Sequence, residues 1–249
     1  MRLVSWNVAG RLARQPEQAA AVLAMAPDVV ALQEVTVNSL PLWREALAAA
    51  GLEHTLSPLD DGPLPKPRRL AVLTASRTPL RRLPLGGLPW PERALSVEVG
   101  GIELLNVHSP ISPSPGLAKV LTHEVLFAYA RERDGIVLAG DLNTPRRTHD
   151  DGTVLTFAHD TKGRLRPERG ERWAAAERAL VYTLRAEHGW RDAFLDAPER
   201  TWTFANDRGG WRLDHLLVKG VEVTARAYAH GWRRSGLSDH SAIVAELRG

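Results

Sequence analysis

What most constrains this chain is a series of short apolar runs, spread over nearly its whole length and separated by helix-like stretches, several of which end on a polar residue. Residues 3–8, 29–32, 70–74, 95–99, 102–107, 136–139, 213–218, 221–228 and 242–247 are short and rich in Val, Ile and Leu, which predicts strands. Between them, 15–25 predicts an alanine-rich helix stopped by Pro27, and 42–50 a helix closed by Gly51. Further helices are predicted over 117–131 and 172–188, the second being the longest. Gly100-Gly101 between two strand-like runs is a two-residue hairpin signal, so the sheets should be mixed rather than purely parallel. Residues 56–69 and 144–170 carry no clear period and read as long loops, which in compact domains are often functional. Strands needed for one sheet system lie on both sides of each loop. The expectation is a single α/β domain over residues 1–249.

Composition narrows the class. With 249 residues, 44% hydrophobic and 24% charged, the chain can bury a sizeable core. No apolar run approaches the roughly 18 residues that would span a bilayer, so no membrane insertion is expected. The start, Met1-Arg2-Leu3-Val4, carries no signal-peptide pattern. The absence of cysteine excludes disulfides and thiolate metal sites and is compatible with a cytoplasmic location. A monomer is the expected state. Of the 32 basic residues, four are lysines and 32 − 4 = 28 are arginines. Arginine grips phosphate bidentately, so an anionic partner fits. A GC-rich genome would give the same bias, and a net charge of +3 does not decide between them.

Chemistry-bearing residues stand at the ends of the predicted strands. Asn7, Glu34, His108 and Asp141 (with Asn143) follow four of them, while Asp214 and the pair Asp239-His240 stand at N-terminal edges of two others. If the late strands run opposite to the early ones, these side chains collect on one rim. Carboxylates with an asparagine and no thiol suit a hard cation such as Mg²⁺ or Mn²⁺. Beside a phosphate ester, a cation together with His and Asn can stabilise phosphoryl charge while a carboxylate orients water. Singly, each of these residues reads as a turn, a cap or a surface ion pair; the set and its order carry the argument.

The ordered set resembles the endonuclease/exonuclease/phosphatase superfamily, which includes DNase I, apurinic endonucleases, neutral sphingomyelinases, inositol polyphosphate 5-phosphatases and deadenylases. The matching pieces are Ser5-Trp6-Asn7-Val8, Leu32-Gln33-Glu34-Val35, Asn106-Val107-His108, Gly140-Asp141-Leu142-Asn143, Arg212-Leu213-Asp214-His215 and Ser238-Asp239-His240. The resemblance implies a four-layer α/β/β/α sandwich of two packed mixed sheets flanked by helices. It also implies a Mg²⁺-dependent phosphoesterase. By position it makes Glu34, Asn7 and Asp239 metal ligands, and Asp141 the residue that orients or deprotonates water. Asn143 becomes a donor to a phosphoryl oxygen, and His240, held by Asp214, and His108 become phosphate-facing histidines. His108 matches the DNase I, sphingomyelinase and deadenylase branches. Residues 212–217 and the stretch Thr201-Trp202-Thr203-Phe204 look instead like the DNA-repair branch, so the subfamily stays open.

The expected substrate is nucleic acid, with a small phosphate ester or lipid headgroup as the alternative and an inactive binding module as a third reading. The pairs Arg68-Arg69, Arg81-Arg82, Arg146-Arg147 and Arg233-Arg234 could line a phosphate groove or simply be solvated surface. Arg146, Arg147 and Trp211 are the candidate substrate contacts. The 144–170 segment is expected to overhang the substrate, so that deleting it should change substrate preference more than fold stability.

Overall fold

The computed structural model describes residues 1–112, 114, 116–196, 202–206 and 209–249. The first half of the chain supplies strands β1 (Arg2–Asn7), β2 (Val29–Val35), β3 (His54–Leu56), β4 (Ala71–Ser76), β5 (Arg81–Arg82), β6 (Ala94–Val99), β7 (Ile102–His108) and β8 (Ile136–Asp141). The second half supplies β9 (Arg147–Thr148), β10 (Val154–Leu155), β11 (Arg191–Asp192), β12 (Phe204–Asn206), β13 (Gly209–Trp211), β14 (Asp214–Lys219), β15 (Glu222–Ala229) and β16 (Ala242–Arg248). One six-stranded sheet has the order β15-β16-β1-β2-β4-β3 and the other β11-β14-β8-β7-β6-β5; β9–β10 and β12–β13 form two small hairpins.

Apart from the largely exposed edge strand β15, the long strands are buried on both faces, and their alternation sorts residues between two cores. In β1, Leu3 points into the core between the sheets, with Leu104 and Val137 of the second sheet. Its neighbours Val4 and Trp6 point outward against α1 (Gln15–Ala24) and α2 (Leu40–Ala49), meeting Val22, Trp43 and Leu47. Across the molecule, Leu105 and Leu138 pack outward against α3 (Ala118–Arg131) and the long helix that starts at Gly170. That helix is α4 (Gly170–Arg178), a π-helical turn at Ala179–Thr183, and α5 (Leu184–Glu187), in unbroken succession. The layers are therefore helix, sheet, sheet, helix, as the resemblance implies. A short α6 (His230–Arg234) follows β15.

The sequence placed the long elements to within a few residues but missed the edge strands β3, β5 and β11 and the hairpins β9–β10 and β12–β13. These contain two or three residues each and are made by pairing with a neighbour rather than by a pattern of their own. Gly100 and Gly101 form the predicted turn between β6 and β7, both with positive φ.

Three features of the sheets set up the rim where the polar residues gather. β1 runs parallel to β2, and β7 parallel to β8, so Asn7, Glu34, His108 and Asp141 emerge at one end. β14 runs antiparallel to β8 and brings Asp214 directly opposite Asp141. β2 then carries a bulge: three steps from Leu32 to Val35 match two steps on β4, and Glu34 takes a left-handed backbone at φ 61. Bulges re-aim side chains at sheet ends, and this one turns Glu34 onto the rim.

Between the sheets, Gln33 Nε2 donates to Asn106 Oδ1 at 2.8 Å, while Asn106 Nδ2 donates to the carbonyls of Leu32 and Leu73. Both side chains are fully buried. This polar bridge sits one residue from Glu34 and two from His108, so it fixes the relative placement of the two sheets at the rim.

Gly140 is the tightest point. Its φ is +134, and a Cβ there would lie 2.1 Å from the Val107 carbonyl oxygen on the neighbouring strand. Gly140→Ala should therefore cost on the order of 3 kcal/mol through strain and strand displacement. A thermal melt within 2 °C of wild type would contradict this.

Candidate active site

The site begins with Asn7. Its Oδ1 accepts from the Ala9 amide at 2.9 Å, which fixes the orientation of the side chain. Its Nδ2 then donates to Glu34 Oε1 at 3.1 Å and to Asp141 Oδ2 at 3.0 Å. One buried amide thus clips two carboxylates together from different sheets. In this arrangement Asn7 clips the two acids through Nδ2, while its Oδ1 accepts from Ala9 and keeps a second lone pair.

Asp141 is the hub. Oδ1 accepts from the Asn143 amide at 2.8 Å, and Oδ2 from Asn143 Nδ2 at 3.2 Å. Asn143 has a left-handed backbone at φ 50, and its Nδ2 is also held by the Ser109 carbonyl at 2.8 Å. Burial pushes the Asp141 carboxyl up to about 7; the neighbouring His240 opposes the shift, while Asp214 and Glu34 reinforce it.

The two histidines face the same acid from different charge states. His240 Nδ1 lies 2.9 Å from Asp214 Oδ2, and its Nε2 lies 3.8 Å from Asp141 Oδ2. Burial pulls the His240 pKa down, but Asp214 and Asp141 outweigh it and push the ring up to about 10. At neutral pH this imidazole is a cation. His108 Nε2 lies 3.4 Å from Glu34 Oε1 and 3.9 Å from Asp141 Oδ2. Its pKa falls well below the usual histidine value, first through burial and then through Arg93 and His240. This ring is neutral.

Arg93 is the residue that the sequence did not reveal. Its Nη1 lies within hydrogen-bonding reach of both His108 ring nitrogens, 3.1 Å from Nε2. It is held over the Trp90 ring, which Arg68 shares, and Arg68 pairs with the buried Glu92 at 3.3 Å. No acidic partner for His108 was evident in the sequence, and its neighbour off the rim is a guanidinium. A single arginine just before a strand, within Trp90-Pro91-Glu92-Arg93, carries no pattern that marks it as part of the site.

Two groups of side chains can hold a cation among the described residues: Glu34, His108 and Asp141, and Asp141, Asp214 and His240, each with ligand atoms within 4.8 Å of one another. The first combines two oxygen donors that converge on one amide with a neutral imidazole, and it fits a divalent cation. The second shares Asp141 with the first, and its Asp214 and His240 are already paired with each other at 2.9 Å. Asp239 belongs to neither group but lines the same cavity as Glu34, Asp141 and His240.

That cavity holds about 630 Å³ and is walled by Arg146, Phe157, Arg166, Arg169, Phe204 and Trp211 opposite the acids. A second cavity of about 470 Å³ adjoins it through Arg146, Thr161 and Trp211 and reaches Arg147 and Trp202. A third, of about 350 Å³, meets Glu34 from the other side and carries Arg69. Of the paired arginines, Arg69, Arg146 and Arg147 thus face the groove. Arg81 and Arg82 are engaged elsewhere, with Glu98 and Asp61, and Arg233 with Ser241. Trp211 lies in the cavity wall as expected, and Trp202 is 56% exposed; Thr201 lies outside the described residues.

The 144–170 segment does overhang the site, through Arg146, Phe157, Arg166 and Arg169. It also packs into the fold. Ala158 is fully buried in a cluster with Val120, Trp173, Ala174 and Ala176, so deleting the segment would strip the outer faces of α3 and α4. A polar segment without periodicity hid an anchor made by only a few residues.

The family model described as "Endonuclease/Exonuclease/phosphatase family" matches residues 4–240. Among solved structures, the chain is similar to a 3′ phosphatase from Neisseria bound to a product DNA hairpin, at 20% identity, TM-score 0.71 and full coverage of both chains. It is also similar to an AP endonuclease from Archaeoglobus fulgidus, at 21% identity, TM-score 0.71 and full coverage of both. A third likeness, to an endonuclease/exonuclease/phosphatase from Beutenbergia cavernae, has 20% identity and TM-score 0.67, covering all of this chain and 71% of that one. No curated protein matches the sequence. No described helix is long and apolar enough to cross a membrane. With its matched motifs on one rim of a four-layer sandwich, the chain belongs to the endonuclease/exonuclease/phosphatase family, whose members are hydrolytic phosphoesterases.

Proposed function

We propose that this protein is a divalent-cation-dependent phosphodiesterase acting on nucleic acid. The observation that carries the reading is the convergence of Glu34 and Asp141 on Asn7, with a cationic His240 and a neutral His108 on either flank. Glu34, with Asp141 and His108 converging beside it and Asp239 lining the same cavity, would hold Mg²⁺ or Mn²⁺, which when bound supplies Lewis-acid stabilisation of phosphoryl charge.

The chain's own residues divide the remaining work. Asp141, poised near neutrality, orients the attacking water and accepts its proton. Asn143 Nδ2, whose two hydrogens face the Ser109 carbonyl and Asp141 Oδ2, would turn the one on Asp141 to a phosphoryl oxygen when substrate binds. His240 is protonated and locked by Asp214, so it stabilises charge at the phosphate rather than acting as a base. His108 is neutral and donates a hydrogen bond without adding charge.

The groove favours nucleic acid over a small ester. Three adjoining cavities extend to both sides of Glu34 and Asp141, far beyond one phosphate group. Arginines such as Arg146 and Arg147 match backbone phosphates, and Trp211 and Trp202 match base faces. The similar 3′ phosphatase bound to a DNA hairpin and the similar AP endonuclease are consistent with this substrate class.

The test is a panel of single-stranded, duplex and abasic DNA, RNA, bis-p-nitrophenyl phosphate and p-nitrophenyl phosphate, each with Mg²⁺, Mn²⁺ or EDTA. Cation-dependent cleavage of a nucleic acid is expected. Turnover of the small monoester alone would overturn the substrate assignment, and full activity in EDTA would overturn the cation.

A further inference from the structure

Behind the acids lies a buried ion pair that the reaction as described does not use. Lys119, in the first turn of α3, and Glu177, in α4, are both buried, with Nζ 2.5 Å from Oε1. Lys119 Nζ also donates to the Asn143 carbonyl at 2.6 Å. The other oxygen of Glu177 accepts from the Phe157 amide at 2.6 Å, and Trp173 Nε1 donates to Oε1 at 3.2 Å. The pair therefore touches the wall of the catalytic cavity at two backbone points, Asn143 and Phe157.

A charged pair in this position is costly, and an apolar pair would join α3 to α4 at least as well. What an apolar pair cannot do is hold a carbonyl. Asn143 needs holding: its backbone is left-handed, a conformation asparagine tolerates but does not prefer, and that turn determines where Nδ2 points.

We infer that Lys119 is a positioning residue for the phosphoryl-transfer step. By donating to the Asn143 carbonyl it locks the turn that aims Asn143 Nδ2, while Glu177 keeps the ammonium in place and ties down Phe157. The inference rests on the phosphoesterase reading above, because Asn143 is its target.

Lys119→Met alone strands a buried carboxylate and can leave the chain unfolded. The informative variant is Lys119→Met/Glu177→Gln, which removes both charges and keeps an acceptor for the Phe157 amide. It should fold with a melting temperature near that of wild type and leave KM within about threefold, while kcat drops about tenfold or more, as expected when a catalytic group is misaimed. In an Asn143→Ala background the same double change should lower kcat less than about twofold, because the group it aims is gone. Without substrate or metal, the Asn143 side-chain amide resonances should shift in the folded double variant. An unchanged kcat, an equal loss in both backgrounds, or unmoved resonances would overturn the inference. A wild-type protein inactive on every phosphoester would instead overturn the phosphoesterase reading, while the resonances still report on the turn.

Discussion

Asp141→Asn is expected to reduce turnover of the best substrate by a factor on the order of 10² or more, with the melting temperature held or raised. The two effects have one cause. Burial pushes the Asp141 carboxyl up to about 7, above its ordinary value of about 4. An acid whose pKa is raised on folding is harder to ionise in the native state, so its contribution to stability falls as pH rises from about 4 through about 7. Above that range the native protein carries the full cost of the buried charge. A neutral asparagine removes this cost along with the proton acceptor, offset in part because its amide nitrogen replaces an oxygen that accepts from Asn7 or Asn143. Loss of activity together with a fall of several degrees at pH 8 would show instead that Asp141 is structural.

The second large effect concerns stability and lies behind the rim. Arg212 donates to both oxygens of Asp192, at 3.1 and 2.7 Å, and the pair is buried. Burial raises the Asp192 pKa, but Arg212, joined by His215, outweighs it and holds the carboxyl far below the usual range. Arg212→Met leaves that carboxylate buried and uncompensated, a change that costs about 3–5 kcal/mol. For a chain of this size the loss is about 10 °C or more in melting temperature. Asp192→Leu/Arg212→Met should recover most of it.

The pH dependence of this pair has a definite sign. The Asp192 carboxyl is depressed on folding, so its contribution is fully present above about pH 4 and declines as pH falls below that value. Wild type should therefore lose stability on acidification below pH 4 more steeply than the double variant. Parallel acid-unfolding curves would remove this role for the pair.

Much of the rim was legible because strand periodicity and motif order are local signals. A strand that ends in Gln33-Glu34 or Gly140-Asp141 declares its chemistry, and Asp214 opposite Asp141 follows once β14 runs against β8. Asp214 beside His240 was implied by the resemblance, but the partners Arg93 and Glu177 were not legible. Arg93 stands 15 residues from His108, and Glu177 stands 58 from Lys119, on helices whose facing sides only the packed structure defines. The charge states of the two histidines also depend on such partners: Asp214 makes His240 a cation, whereas burial beside Arg93 keeps His108 neutral. For the same reason the 144–170 segment read as loose, since its anchors are scattered contacts: the Phe157 amide on Glu177, the Thr144 carbonyl with His215, the Gly152 carbonyl with Arg185, and the buried Ala158.

The most direct test of the account is Mn²⁺ binding, followed by electron paramagnetic resonance in wild type and in Glu34→Gln, with no substrate present. The convergence of Glu34 and Asp141 predicts a saturable site in wild type that Glu34→Gln weakens about tenfold or more, with the fold intact by circular dichroism. Equal Mn²⁺ affinity in the two proteins would contradict a cation held by Glu34, and with it the proposed chemistry.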